Sequence, residues 1–257
     1  MWDKPQALRQ LANTLFGFSL LMLLFGAVHY AVHLPMFSLE SVQLTVAPQR
    51  VDEEQIREIV RTRLQGNFFT VDLENTRKTF ETLPWVRKVT VRRHFPWRLE
   101  VNLEEHEALA RWNDASLVNT HGEVFSAEGE GIAQDDSGLQ AFNREHAKGM
   151  PKFYGQADSA GEITKMYQEF GKLLVPLKHN VVQISLSPRR AWQLRLDNGM
   201  ILELGREKMQ ERLARFVSVY PYSLASLSRP VNYVDLRYNN GFAAYLPGGS
   251  GVVKGAS

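Results

Sequence analysis
The chain has 257 residues, 44% of them hydrophobic, enough to bury ordinary cores in one or two domains. Its 30 Lys and Arg against 28 Asp and Glu leave a formal charge of only +2, which excludes the strong basic field of a nucleic-acid binder. The absence of cysteine excludes disulfides, thiolate nucleophiles and sulfur-ligated metals together.

Residues 11–34 contain no Asp, Glu, Lys or Arg. At about 1.5 Å rise per residue, about 20 apolar residues cross a hydrocarbon core, so this stretch predicts one transmembrane helix. Its densest part also suits the apolar region of a secretory signal, but no small-x-small cleavage site follows. Ala31 has His29 two positions before it, and bulky Leu34, Met36 and Phe37 come next, so an uncleaved anchor is the better reading. Lys4 and Arg9 precede the span and Glu40 is the first charge after it, which predicts a cytoplasmic tail at residues 1–10 and an exported remainder.

A first strand follows, with Val42, Leu44 and Val46 alternating against Ser41, Gln43 and Thr45. Asp52 suits a helix N-cap, Ile56, Ile59, Val60 and Leu64 form one stripe, and Arg61 and Arg63 complement the C-terminal dipole. A second helix is capped by Asp72, carries Leu73, Phe80 and Leu83 on one face and stops at Pro84. Then Val89 and Val91 alternate with charged neighbours, residues 94–97 turn the chain, and Leu99, Val101 and Leu103 alternate again. Residues 37–106 thus read β-α-α-β-β, with both helices on one face of a three-stranded sheet.

From residue 107 short strands dominate: 108–112, 117–119 and 123–126, the last pair around a His121-Gly122 turn. Residues 127–149 are poor in large apolar side chains and read as a mobile loop. Ile163, Met166, Tyr167, Phe170 and Leu174 form a helical stripe ended by Pro176. Strands resume at 181–187, 191–196 and 200–205, the last two joined through Asn198-Gly199. Met209, Leu213, Phe216, Val217 and Tyr220 share a helix face that meets Pro221. Strands at 231–238 and 242–246 close a mostly β domain over 107–246, and the Gly-rich tail 247–257 reads as disordered. The fold class is therefore α+β: one transmembrane helix, a small two-layer unit, and a mostly β domain with two helices.

Catalysis has no anchor in this pattern. The histidines are scattered without a His-Glu-x-x-His helix, no nucleophile elbow precedes a helix, and the tail glycines neither follow a strand nor open a helix. Glu105 and Glu107 share a strand face, but a charged domain junction explains them better than an acid and base pair. No metal, cofactor or enzymatic activity is expected. Arg87, Lys88, Arg92, Arg93 and Arg98 sit among Trp85, Phe95 and Trp97. A solvated sheet face with an aromatic hairpin clasp is the simplest account of them, and anionic lipid headgroups or a protein partner come second.

Several segments carry a resemblance: Leu83-Pro84-Trp85-Val86-Arg87-Lys88-Val89 with Arg92-Arg93-His94-Phe95-Pro96, Glu105-His106-Glu107-Ala108-Leu109-Ala110-Arg111-Trp112, and Arg189-Arg190-Ala191-Trp192-Gln193-Leu194. Arg212-Leu213-Ala214-Arg215-Phe216 and Tyr233-Val234-Asp235-Leu236-Arg237-Tyr238 follow in the same order. Together they resemble the bacterial FtsQ/DivIB cell-division family over roughly residues 11–246. The resemblance implies that residues 37–106 are a POTRA domain and that the protein is a non-enzymatic divisome scaffold of the inner membrane, type II, at the septum. It also implies a complex with FtsB and FtsL through the last strand of the β domain, and contacts of the POTRA unit with other divisome proteins. Carried over by motif, the binding residues would be Arg190, Arg237, Tyr238 and Gly241, with Phe242, Tyr245 and Leu246 as alternative anchors. Two other classes compete. An outer-membrane assembly or secretion factor would need barrel strands of about 10 residues that this sequence lacks, and a membrane-tethered envelope hydrolase would need an acid and base cluster.

Overall fold
The computed structural model describes residues 5–39, 41–51, 53–64, 66–113, 116–126, 149–225, 231–238, 241–245 and 252–256. They fall into two compact units, Met1–Glu105 and His106–Ser257. The predicted Asp52 cap and nearly all of the predicted loop 127–149 lie outside the described residues.

In the first unit, helix α1 spans Pro5–Val32, and its segment Arg9–Val32 has a mean hydropathy of 2.0 with its side chains exposed. It is long and apolar enough to cross a membrane. Strand β1 (Ser41–Leu44), helices α2 (Glu53–Arg63) and α3 (Leu73–Glu81), and strands β2 (Val86–His94) and β3 (Arg98–Glu105) follow. β3 is central: it pairs antiparallel with β2, and parallel with β1 from Ser41↔Arg98 to Leu44↔Val101. A parallel pair needs a long crossover, and the two helices lie within the connection that supplies it. Leu99, Val101 and Phe80 are fully buried and Val89 and Ile56 nearly so, which matches the predicted alternation. β1 stops two residues early, leaving Val46 exposed.

Capping is local and strong. The Asp72 carboxylate accepts from the N–H groups of Glu74 and Asn75 at 3.0 Å each, a cap worth about 1 kcal/mol. The Glu105 carboxylate accepts from the N–H groups of Gln49, Arg50 and Val51 at 2.9 to 3.1 Å. Its role is thus to close the segment entering α2, which the domain-junction reading did not foresee.

The second unit is built on one ten-stranded sheet. Its strands are β4 (Ala108–Trp112), β5 (Ser116–Asn119), β6 (Val124–Phe125), β7 (Lys152–Tyr154), β8 (Val181–Leu186), β9 (Trp192–Leu196), β10 (Ile201–Gly205), β11 (Tyr233–Asp235), β12 (Gly241–Tyr245) and β13 (Val252–Ala256). The spatial order is β13-β12-β11-β10-β9-β8-β7-β4-β5-β6. Helices α4 (Ala160–Leu174) and α5 (Met209–Ser223) carry the predicted stripes into the core, where Ile163, Phe170, Leu174, Leu213 and Phe216 meet Trp192, Leu194, Ile184 and Leu202. Alternation is strict on β9: Trp192, Leu194 and Leu196 point inward while Gln193 and Arg195 do not.

Three expectations need correction. α5 runs two residues past Pro221, because a proline in the last turn removes only one hydrogen bond before the helix ends. The strand predicted over 231–238 is only Tyr233–Asp235 and pairs parallel with β10. The tail predicted to be disordered holds β13, antiparallel to β12 from Gly241↔Ala256 to Tyr245↔Val252. The backbone groups along β12 offer a ladder that overrides the low strand propensity of a Gly-rich tail.

Candidate partner-binding site
The described residues among those singled out lie on or beside the terminal strands, apart from Arg190. Arg237 lies two residues past the end of β11 and turns back on Asp235: Nε donates to both carboxylate oxygens at 2.9 and 3.1 Å, and Nη2 donates at 2.7 Å. The Asp235 side chain is buried and its partner guanidinium is 58% exposed. Two segments distant in sequence meet around this pair. From α5, Arg215 Nη2 donates to the Tyr238 carbonyl at 3.0 Å, and Arg212 Nη1 donates to the Leu204 carbonyl at 2.7 Å. Gly205, at φ 77°, permits the crossing, since a Cβ there would lie 2.9 Å from Arg212 Nη1 and 3.0 Å from Arg237 Cγ.

Burial pushes the Asp235 carboxyl upward, but the hydrogen bonds from the Arg237 side chain and backbone N–H and the charges of Arg237 and Arg212 outweigh it, so it titrates below the usual carboxylate range. A depressed folded pKa contributes stability above the unfolded value of about 3.9, and that contribution is lost as pH falls through the folded pKa. Asp235→Asn should therefore lower stability at neutral pH by about 1–2 kcal/mol, the exposed Arg237 limiting the value. The difference from the parent chain, followed by thermal unfolding against pH, should shrink below about pH 4.

Tyr238 is 54% exposed and Tyr245 48% exposed. The Tyr245 ring sits edge-on to Tyr233 at 5.5 Å, directly across the β11–β12 ladder. Phe242, by contrast, is 4% exposed and packs edge-on against Phe216 at 5.6 Å, so its ring holds the strand onto α5 instead of facing outward. Gly241 opens β12, and Leu246 lies outside the described residues. Arg190 is not brought into this group. It sits in the β8–β9 turn, two strands short of β11, with Nη2 donating to Glu162 Oε1 at 2.6 Å. Asp235, Tyr233 and Arg215 contact the candidate residues although the sequence reading did not select them. The i, i+2 spacing of Asp235 and Arg237 was a usable signal for the first.

No chemistry-bearing constellation accompanies these strands among the described residues. Among the described residues no three His, Asp or Glu side chains cluster as metal ligands. A cleft of about 430 Å³ lined by Tyr154, Gln156, Ser185, Gln193 and Glu203 has a single carboxylate, which accepts a hydrogen bond from Gln193 Nε2 at 3.1 Å.

Comparison with known proteins agrees with this division. Residues 37–106 match the family model "POTRA domain, FtsQ-type", and residues 110–237 match "Cell division protein FtsQ/DivIB, C-terminal". The chain is 42% identical to the cell division protein FtsQ of Nitrosospira multiformis, over 95% of this chain and 98% of that protein. It is 35% identical to FtsQ of Burkholderia pseudomallei, covering 96% and 95%, and 33% identical to FtsQ of Bordetella pertussis, covering 96% and 93%.

Proposed function
This chain belongs to the FtsQ/DivIB family of cell-division proteins, and from that membership we propose that it is a non-enzymatic scaffold of the inner membrane that holds FtsB and FtsL at the septum and links early to late division proteins. α1 crosses the bilayer with residues 1–10 in the cytoplasm, where Lys4 and Arg9 lie, and both folded units are periplasmic. The POTRA unit contacts other divisome proteins. FtsB adds a strand along β12 in place of β13, where main-chain hydrogen bonds give affinity and exposed aromatic side chains give most of the side-chain energy.

The observation that carries this reading is the terminal strand pair, in which only β13, the outermost strand, covers the outer ladder of β12. β12 is fixed from inside by Phe242 and Ala244, braced at its start by the Arg215, Asp235 and Arg237 cluster, and flanked by outward Tyr238 and Tyr245. Once β13 leaves, β12 offers an incoming strand a well-anchored ladder flanked by exposed side chains, the combination strand addition requires. Its test is capture of FtsB and FtsL by the full chain in detergent, together with depletion in cells. Retention of both partners and filamentous growth are expected. Normal division after depletion would sink the reading.

A further inference from the structure
The aromatic and basic cluster around the β2–β3 hairpin takes no part in the terminal edge, yet it is built with care. Trp97 holds φ at 58°, a left-handed conformation that bulky residues seldom adopt, so the fold maintains its ring there against a backbone preference. Its ring lies 5.0 Å from Phe37 and 5.9 Å from Phe95. Phe69 stands edge-on to Phe37 at 5.2 Å. Far from being enclosed, Phe95 is 75% exposed and Phe69 46%.

The cluster is also tied to the end of α1. Asn67 Nδ2 donates to the carbonyl of Val32, the last helical residue, at 2.6 Å, and the Phe68 N–H donates to the Phe37 carbonyl at 2.9 Å. Arg93 fixes the same loop to β2 by donating to the carbonyls of Phe68 and Val71 at 2.7 and 2.8 Å. On the helix itself Tyr30 is 72% exposed, so outward aromatic rings continue from the last turn of α1 into the folded unit. The amphipathic rings of Tyr30 and Trp97 suit the headgroup level, the apolar Phe69 and Phe95 rings beside them suit its boundary with the acyl chains, and exposed Arg92 on the adjoining strand suits anionic headgroups.

The geometry points to a membrane-interface seat: Phe69, Phe95 and Trp97 enter the headgroup layer of the bilayer that α1 crosses, so the first folded unit rests on lipid. This inference depends on the reading of α1 as a membrane span. A protein partner would fit exposed aromatics equally well in isolation. Continuity with the helix end favours lipid, because Phe37 follows Val32 by only five residues and cannot leave the interface.

Because the chain has no cysteine, single-cysteine variants report one site each. The full chain is reconstituted into vesicles of phosphatidylethanolamine and phosphatidylglycerol with a fluorophore on Phe95→Cys, on Phe69→Cys, on Lys88→Cys, or on Phe25→Cys within α1. Lys88 lies six residues before His94 on β2, about 20 Å from the hairpin tip. Lipid spin-labelled at the headgroup should quench the labels at 95 and 69 several-fold more than the label at 88, and quenching should weaken when phosphatidylcholine replaces phosphatidylglycerol. Labels at 95 and 69 as open to an aqueous quencher as the one at 88, with the Phe25→Cys label quenched by deep lipid, overturn the seat and leave the span standing. Labels at 95 and 69 shielded from water yet untouched by lipid overturn it in favour of a protein contact. Absence of lipid quenching at 25 overturns the span and the seat together.

Discussion

Tyr245→Ala is expected to weaken capture of FtsB roughly a hundredfold while the chain keeps its thermal stability nearly intact, since an aromatic anchor at a strand-addition edge is worth about 2–3 kcal/mol to binding. The stability side follows from the contacts. Tyr245 is half exposed, and among the described residues its ring neighbour is Tyr233 across the ladder, a cross-strand pair worth about 0.2–1 kcal/mol. Phe242→Ala supplies the contrast: its ring is buried against Phe216, and removal should cost about 3–5 kcal/mol of stability, so any loss of capture there would come through the fold. Binding measured by calorimetry beside unfolding curves separates the two. Unchanged affinity in a stable Tyr245→Ala chain would remove this residue from the interface. Tyr238→Ala, on the exposed side of the Arg215 bond to its carbonyl, should fall between them because that bond is made by the backbone and survives the substitution.

Deleting residues 247–257 should raise affinity for FtsB by about tenfold or more, since a binding site populated only when β13 has left β12 lowers apparent affinity by the fraction of open molecules. β13 pairs with β12 at five positions, from Gly241↔Ala256 to Tyr245↔Val252, which is the whole described length of both strands. An incoming strand seeking the same donors and acceptors must displace it, and about 1.4 kcal/mol of pairing suffices for a factor of ten. Pairing by an edge strand of only five residues is well matched to such exchange, because it is strong enough to shield an open edge and weak enough to yield. Capture that falls on deletion would mean that β13 itself is the receiving edge, with FtsB adding outside it. The measurement is the same titration with the shortened full-length chain, and the sign of the change decides.

Particular elements show why some of this was legible beforehand. The stripe Ile163, Phe170 and Leu174 reads as a helix because a period near 3.6 repeats over about three turns, and Leu99, Val101 and Leu103 read as a strand because period 2 persists over five residues. β7 had no such signal. It is three residues long and owes its existence to parallel partners at Arg111 and Gln183, each about 30 or 40 positions away in sequence. The candidate site divides in the same manner. The motif 233–238 marked the candidate segment, but alternation along 242–246 leaves two registers, and a one-residue slip exchanges every inward for every outward side chain. Only packing against Phe216 assigns Phe242 to the core and Tyr245 to the surface.

By itself the sequence determined the membrane-length helix, the β-α-α-β-β unit, the α+β class and the family, because length, hydropathic period and local motifs are properties of neighbouring residues. Tertiary structure alone decided three further things: that Arg212 and Arg215 of one segment brace Leu204 and Tyr238, that Asp235 is the buried partner of Arg237, and that the tail lies as a strand on β12. Each depends on backbone donors and acceptors left over after local structure has formed. Which distant segment satisfies them is fixed by the burial of the whole sheet and its helices, a quantity no local window contains.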